Sequence, residues 1–153
     1  MPARKRPLWT CPSCGHRFVT RNMWHSCVRL RISDHFRGKD PAVRLLYRRF
    51  RRLVESCGPV TVYALKSGIV FQARVRFAGV VPRKRWLDGA FWFKRRLKHP
   101  RFYRIEKIPP HDYIHRFRVA KLADIDRELA KFALEAYAVG CQKHLEAESF
   151  GID

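Results

Sequence analysis

Between residues 40 and 58 the apolar positions recur three and four apart, at Val43, Leu46, Tyr47, Phe50, Val54 and Cys57. That spacing gathers them on one stripe of an α-helix and leaves Arg44, Arg48, Arg51, Arg52 and Glu55 on the other side. Asp40-Pro41 is a start signal, because an Asp side chain can accept from exposed N–H groups and Pro suits the first helical position. Gly58-Pro59 is a stop, with Gly as a left-handed cap and Pro unable to continue the helix. From residue 60 the pattern shortens to period two. Runs at 60–65, 69–73, 75–81, 86–93, 102–108 and 113–119 are rich in β-branched and aromatic residues and read as strands. Polar turns at Lys66-Ser67-Gly68 and Pro82-Arg83-Lys84-Arg85, a basic loop at 94–101 and Pro109-Pro110 separate them. Connections this short favour antiparallel neighbours.

A second helix begins near Asp124, with Ile125, Leu129, Phe132, Ala133, Ala136 and Tyr137 as its apolar face and Gly140 near its end. The tail after Leu145 is expected to fray. Residues 8–37 follow neither period and are rich in Cys, His and aromatics. The expected architecture is therefore α+β: an antiparallel sheet of about five strands flanked by two helices, preceded by a small metal-stabilised module. The division falls near residue 39, giving a basic N-terminus and Cys/His module over 1–39 and an α+β domain over 40–153.

The module carries the sharpest chemistry. In Cys11-Pro-Ser-Cys14-Gly15, two thiols separated by two residues can both turn inward on one knuckle, and the Gly tolerates the positive φ that follows. His25 and Cys27 are two apart. On a helix they would point about 200° from each other, whereas an extended segment turns both to the same side. Cys11, Cys14, His25 and Cys27 can then close a tetrahedral structural Zn2+ site, with His16 and His35 as rival ligands to His25. Some thirty residues bury too little to fold alone, so metal binding would supply much of the module's stability. Trp9, Phe18 and Trp24 are placed to wrap the site, with stacking on a base the alternative role for Trp24. Cys57 and Cys141 read as inert core thiols.

An odd count of 5 Cys, three of them between residues 11 and 27, fits ligation better than a disulfide framework. No apolar run approaches the roughly 18 residues of a membrane helix. The basic start, through Arg4-Lys5-Arg6, has no apolar stretch behind it and is not a signal peptide. A cytoplasmic location follows as the expectation.

Charge changes the picture further. The 153 residues hold 33 Lys and Arg against 13 Asp and Glu, a formal +20. It is unevenly placed: residues 1–119 hold 29 basic and 6 acidic side chains, a net of +23, and residues 120–153 hold 4 and 7, a net of −3. A body so basic repels itself and attracts polyanions. Period-two alternation places Arg74 and Arg76 opposite Ile69, Phe71, Ala73, Val75 and Phe77. It likewise places Arg116 and Arg118 opposite Phe117 and Val119, with Arg104 joining from a neighbouring strand. Turns add Arg83, Lys84, Arg85, Arg95 and Arg96. These ten side chains are the expected nucleic-acid contacts, gripping phosphate oxygens while Trp86 or Trp92 stacks on an exposed base. No base-reading helix is evident, so backbone recognition is expected.

The run Trp9-Thr-Cys-Pro-Ser-Cys-Gly-His-Arg-Phe18, then His25-Ser-Cys27 and Asp34-His-Phe-Arg-Gly-Lys39, resembles the N-terminal part of the domain-of-unknown-function family DUF5655. The likeness continues in Gly58-Pro-Val60, Ile69-Val-Phe71, Arg76-Phe-Ala78, Asp126-Arg-Glu-Leu129 and Glu135-Ala-Tyr137. It implies a compact α+β domain over about 40–140 and transfers no catalytic residue. Similar domains elsewhere follow nuclease-like regions, a hint toward nucleic acid.

Two other classes stand beside nucleic-acid binding. One is a protein-interaction or small-anion-binding adaptor. The other is an enzyme using His111, Asp112, His115, Asp124 or Asp126. Against the enzyme, Asp124 reads as a helix cap, Asp126 as a favourable charge near that helix's N-terminus, and His111 and His115 as surface groups. The chain has no Gly-rich phosphate loop and no carboxylates paired at nuclease spacing.

Overall fold

A computed structural model describes residues 5–25 and 30–145. Cys27 and the tail beyond Leu145 lie outside the described residues. The chain opens with a small hairpin, β1 (Trp9–Thr10) and β2 (Arg17–Phe18), then a 3-10 turn at Ile32–Phe36. Helix α1 (Pro41–Glu55) follows, then β3 (Thr61–Leu65), β4 (Gly68–Gln72), β5 (Arg76–Pro82), β6 (Leu87–Phe93), β7 (Arg104–Ile108) and β8 (Asp112–Val119). A 3-10 turn at Leu122–Asp124 leads into α2 (Arg127–Gly140). The large sheet is antiparallel throughout in the order β3-β4-β5-β6-β8-β7. It has six strands rather than about five, one for each of the six strand-like runs, with β7 at one edge.

The anticipated stripe of α1 is its buried face: Val43, Leu46, Tyr47, Phe50 and Val54 all pack inward. Asp40 caps the helix, accepting from the Ala42 N–H at 2.9 Å. Phe50 lies among Phe71, Phe91 and Phe117, with ring centroids 5.6, 6.0 and 5.9 Å away. Helix α2 adds Leu129, Ala133 and Ala136 to the same core. Both helices therefore cover one face of the sheet. Phe36, from the first 3-10 turn, joins this core and packs on Tyr47 at 5.1 Å.

Register breaks once, and the break matters for the opposite face. Phe71 pairs with Ala78 and Gln72 with Arg76, so Phe77 has no partner in the ladder. Such a bulge sends two consecutive side chains the same way. Phe77 and Ala78 both enter the core, and Arg76 turns to the helix-free face. Gly140 at the end of α2 makes room for Phe77, whose ring carbon would lie 2.4 Å from an added Cβ.

Two expectations need correction. The cap of α2 is Asp126, which accepts from the Leu129 N–H at 2.9 Å, whereas Asp124 accepts from the N–H groups of Ala120 and Lys121 one turn earlier. Asp124 closes a 3-10 turn at Leu122–Asp124, which displaces the start of the helix. His115 is not a surface group. It is fully buried beside Phe93 and Phe102, because β8 pairs it with Phe91 on the core face. Its Nδ1–H donates to the Tyr113 carbonyl at 3.1 Å, and its Nε2 accepts from the Leu97 N–H at 2.9 Å. The ring is thus a neutral tautomer pinning the basic loop, and burial holds its pKa below the ordinary 6.5.

Candidate metal centre and nucleic-acid interface

The knuckle forms as its sequence suggests. Cys11 N–H donates to the His16 carbonyl and Gly15 N–H to the Cys11 carbonyl, both at 2.8 Å, and Gly15 takes a φ of +76°. This turn brings Cys11 and Cys14 onto one side, where His25 meets them. The three candidate ligand atoms all lie within 4.8 Å of one another, with Cys14 Sγ 3.2 Å from His25 Nε2. A tetrahedral ion with bonds of about 2.3 Å to sulfur holds its ligand atoms about 3.8 Å apart, so the arrangement fits one ion.

The orientation of His25 is the more telling feature. Its Nδ1–H donates to the Met23 carbonyl at 2.7 Å, which leaves Nε2 as the lone-pair nitrogen facing the thiols. That carbonyl, with Cys14 next to the ring, raises the His25 pKa. The rival histidines are engaged elsewhere. His35 donates to the Leu65 carbonyl at 2.7 Å, and His16 donates to Gln72 Oε1 at 3.3 Å. Among the described residues this cluster can hold a metal ion through two sulfurs and one imidazole. Phe18 and Trp9 pack against His25 at 4.6 and 6.2 Å, as expected of wrapping groups. Trp24 does not wrap the site and is 89% exposed.

The knuckle docks on the helix-free face of the sheet, and the contact was not legible in the sequence as a site. Gln72, buried in β4, accepts from the Tyr63 hydroxyl at 2.7 Å and from His16, and donates to the Arg17 carbonyl at 2.7 Å. The His16 ring also meets Tyr63 edge-on at 4.2 Å. One amide thus rivets module to sheet. The available signal was a Gln closing the otherwise apolar strand Gly-Ile-Val-Phe-Gln.

The ten basic side chains divide into distinct settings. Arg104 and Arg116 face each other across β7 and β8 and share Glu106 at 3.1 and 2.8 Å. Arg83 and Arg118 share Asp88 at 2.7 and 4.0 Å, and the Arg118 guanidinium lies 4.5 Å over Trp86. Arg95 reaches α2, gripping Glu135 with two bonds of 3.0 and 2.8 Å. Lys84, Arg85 and Arg96 are exposed, with no carboxylate within 4.0 Å among the described residues.

Arg74 and Arg76 differ from all of these. Their partners are neutral: Arg74 donates to Gln142 Oε1 at 2.9 Å and to the Arg6 carbonyl, and Arg76 donates to the Tyr63 hydroxyl at 2.6 Å. Both line a groove of about 350 Å³ bounded by the knuckle, the sheet and the end of α2, with Trp92 in its wall.

The acid-base candidates are held by structural contacts. Asp112 lies 2.7 Å from Lys94, and Asp126 pairs with Arg101 at 2.7 Å besides capping α2. Cys57 and Cys141 are only half-buried, and burial raises the Cys57 pKa. No helix among the described residues is long and apolar enough to cross a membrane.

Fold and cluster together define an α+β domain bearing a small Cys/His module able to hold a metal ion. A family model described as a domain of unknown function (DUF5655) matches residues 32–140, and the chain belongs to that family. The matched span takes in the whole six-stranded sheet and both helices and leaves the knuckle outside it. No curated protein and no solved structure matches the chain.

Proposed function

We propose that this protein is a non-catalytic, zinc-stabilised module that binds nucleic acid through its phosphate backbone. Zinc is the ion that a thiolate and imidazole donor set prefers, and Cys27 is the natural fourth ligand from the sequence spacing. The residues would act structurally, with Cys11 and Cys14 as thiolates and His25 through Nε2. With Cys27 as the fourth ligand, three thiolates would also offset local positive charge.

One observation carries the nucleic-acid reading: among the described residues, many arginines have no carboxylate within 4.0 Å. Arg74 and Arg76 rest on neutral acceptors, and Lys84, Arg85 and Arg96 stand in solvent. On α1, Arg44, Arg48 and Arg52 recur every fourth residue with Arg49 beside them, all exposed and none within 4.0 Å of a described carboxylate. Like charges at that spacing destabilise a helix by a few tenths of a kcal/mol per pair. A polyanion supplies the missing counter-charge and gains by releasing its own counterions.

Purification under native conditions, with zinc and the ratio of absorbance at 260 and 280 nm recorded, tests both parts. Zinc near one per chain and co-purifying nucleic acid, removable by nuclease or high salt, is the expected result. Nucleic-acid-free protein that binds neither DNA nor RNA at low salt overturns the binding. Zinc well below one per chain, in protein never exposed to chelator, overturns the metal.

A further inference from the structure

We propose that the groove between knuckle and sheet is a site for one unpaired nucleotide of a single strand, its base against Trp92 and its phosphate on Arg74 and Arg76. This rests on the nucleic-acid reading above and narrows it. Ligand pockets span about 300–1,000 Å³, and the groove, at about 350 Å³, lies at the small end of that range. Its walls are apolar where a planar ring would lie: Trp92 from β6, Phe18 and Met23 from the knuckle, and Val139 from α2. The indole is seated beside Gly79, where an added Cβ would lie 3.8 Å from it.

The charged groups select the ligand. Among the described residues the one carboxylate lining the groove is Asp112, and Lys94 sits 2.7 Å from it, so that pair cancels. The guanidinium groups of Arg74 and Arg76 remain, aimed by Gln142 and Tyr63 but not neutralised by them. A neutral apolar ligand would bury two charges for nothing, whereas a phosphate accepts the Arg fork directly.

Two of the polar side chains lining the groove are already engaged. Gln72 holds Tyr63, His16 and the Arg17 carbonyl, and Gln142 presents its oxygen to Arg74. Recognition would therefore be stacking that tolerates any base. A paired base cannot enter so small a pocket without being flipped from its stack, which costs a few kcal/mol. Single strands should win over duplex.

The test is titration of the zinc-loaded protein with a 12-mer of oligothymidylate and with a blunt duplex, read by fluorescence anisotropy and tryptophan quenching. The single strand should bind at least tenfold more tightly. Trp92→Ala should weaken single-strand binding about tenfold, while Trp92→Phe, which keeps an aromatic face and guards against misfolding, should retain most of the affinity, and both should lose most of the quenching. Arg74→Ala combined with Arg76→Gln should lower the log-log salt slope by about 0.7, the single-strand value for the one phosphate they hold. Equal affinity for duplex and single strand, or binding indifferent to Trp92, overturns the groove assignment and leaves the general nucleic-acid reading standing. Inorganic phosphate or free nucleotide binding in the groove without any oligonucleotide binding overturns both in favour of a small-anion adaptor.

Discussion

Replacing Gln72 by Leu separates the contribution of the metal from that of the sheet. Leu fills a similar volume, and the change removes three hydrogen bonds from a side chain that is 4% exposed. Two of those bonds, from His16 and to the Arg17 carbonyl, reach the knuckle, and the third stays within the sheet at Tyr63. An intramolecular hydrogen bond contributes about 1 kcal/mol net, so the knuckle loses about 2 kcal/mol of docking energy. The knuckle can dock only when folded, and it needs metal to fold. By linkage the same 2 kcal/mol must then appear in metal affinity, as about thirtyfold weaker Zn2+ binding. The Tyr63 bond survives metal removal and cancels from the comparison. Competition with a chromophoric chelator measures the affinity, and urea melts with and without chelator measure the coupling from the other side. If Gln72→Leu lowers stability equally in both states and leaves Zn2+ affinity unchanged, the metal does not organise the docked knuckle and the reasoning fails.

Other perturbations reach the sheet and its core. His115 titrates below 6.5 when folded. The unfolded chain therefore takes its proton first as pH falls through that value, and stability is full above 6.5 and declines beneath it. Wild-type Tm should drop more steeply between about pH 7 and 5 than that of His115→Gln, even though the variant starts lower; parallel pH profiles would count against the buried neutral ring. Gly89→Ala drives a Cβ to 2.3 Å from the Phe117 ring, held in the core on every side, and should cost about 1–3 kcal/mol in urea melts. Gly79→Ala, whose Cβ finds nothing nearer than 3.4 Å, should cost far less, and equal losses would refute the packing described. Phe50→Ala should cost about 3–5 kcal/mol, since Phe50 is fully buried among three other rings.

The elements legible in the sequence were those in which one local period ran unbroken. Helix α1 shows this best, because its cap, stripe and stop all lie within twenty residues and agree with one another. The knuckle was legible for a similar reason: two thiols and a following Gly encode the turn without help from the rest of the chain. Legibility failed where distant partners decide. His115 looked polar beside Pro109-Pro110, yet the β8 register sets it opposite Phe91 in the core. Arg104, Arg116 and Arg118 face away from the helices, but Glu106 reaches Arg116 from β7 and Asp88 reaches Arg118 from β6, while Arg104 meets Glu106 two residues along its own strand. Gln72 joins elements 55 and 56 residues apart in sequence, a contact that no local pattern can announce. Of the ten basic residues, the structure distinguishes Arg74 and Arg76 through partners that only the fold supplies.

In the proposed function a metal-ordered knuckle and a basic sheet face meet to form one surface for nucleic acid. Anisotropy of a labelled oligothymidylate, titrated with zinc-loaded and with chelator-treated protein across about 50 to 200 mM salt, tests it most directly. Affinity should fall linearly on a log-log salt plot and weaken at least tenfold on chelation, because the knuckle forms one wall of the groove. Binding that ignores both salt and chelator, or no binding at the lowest salt, would contradict it.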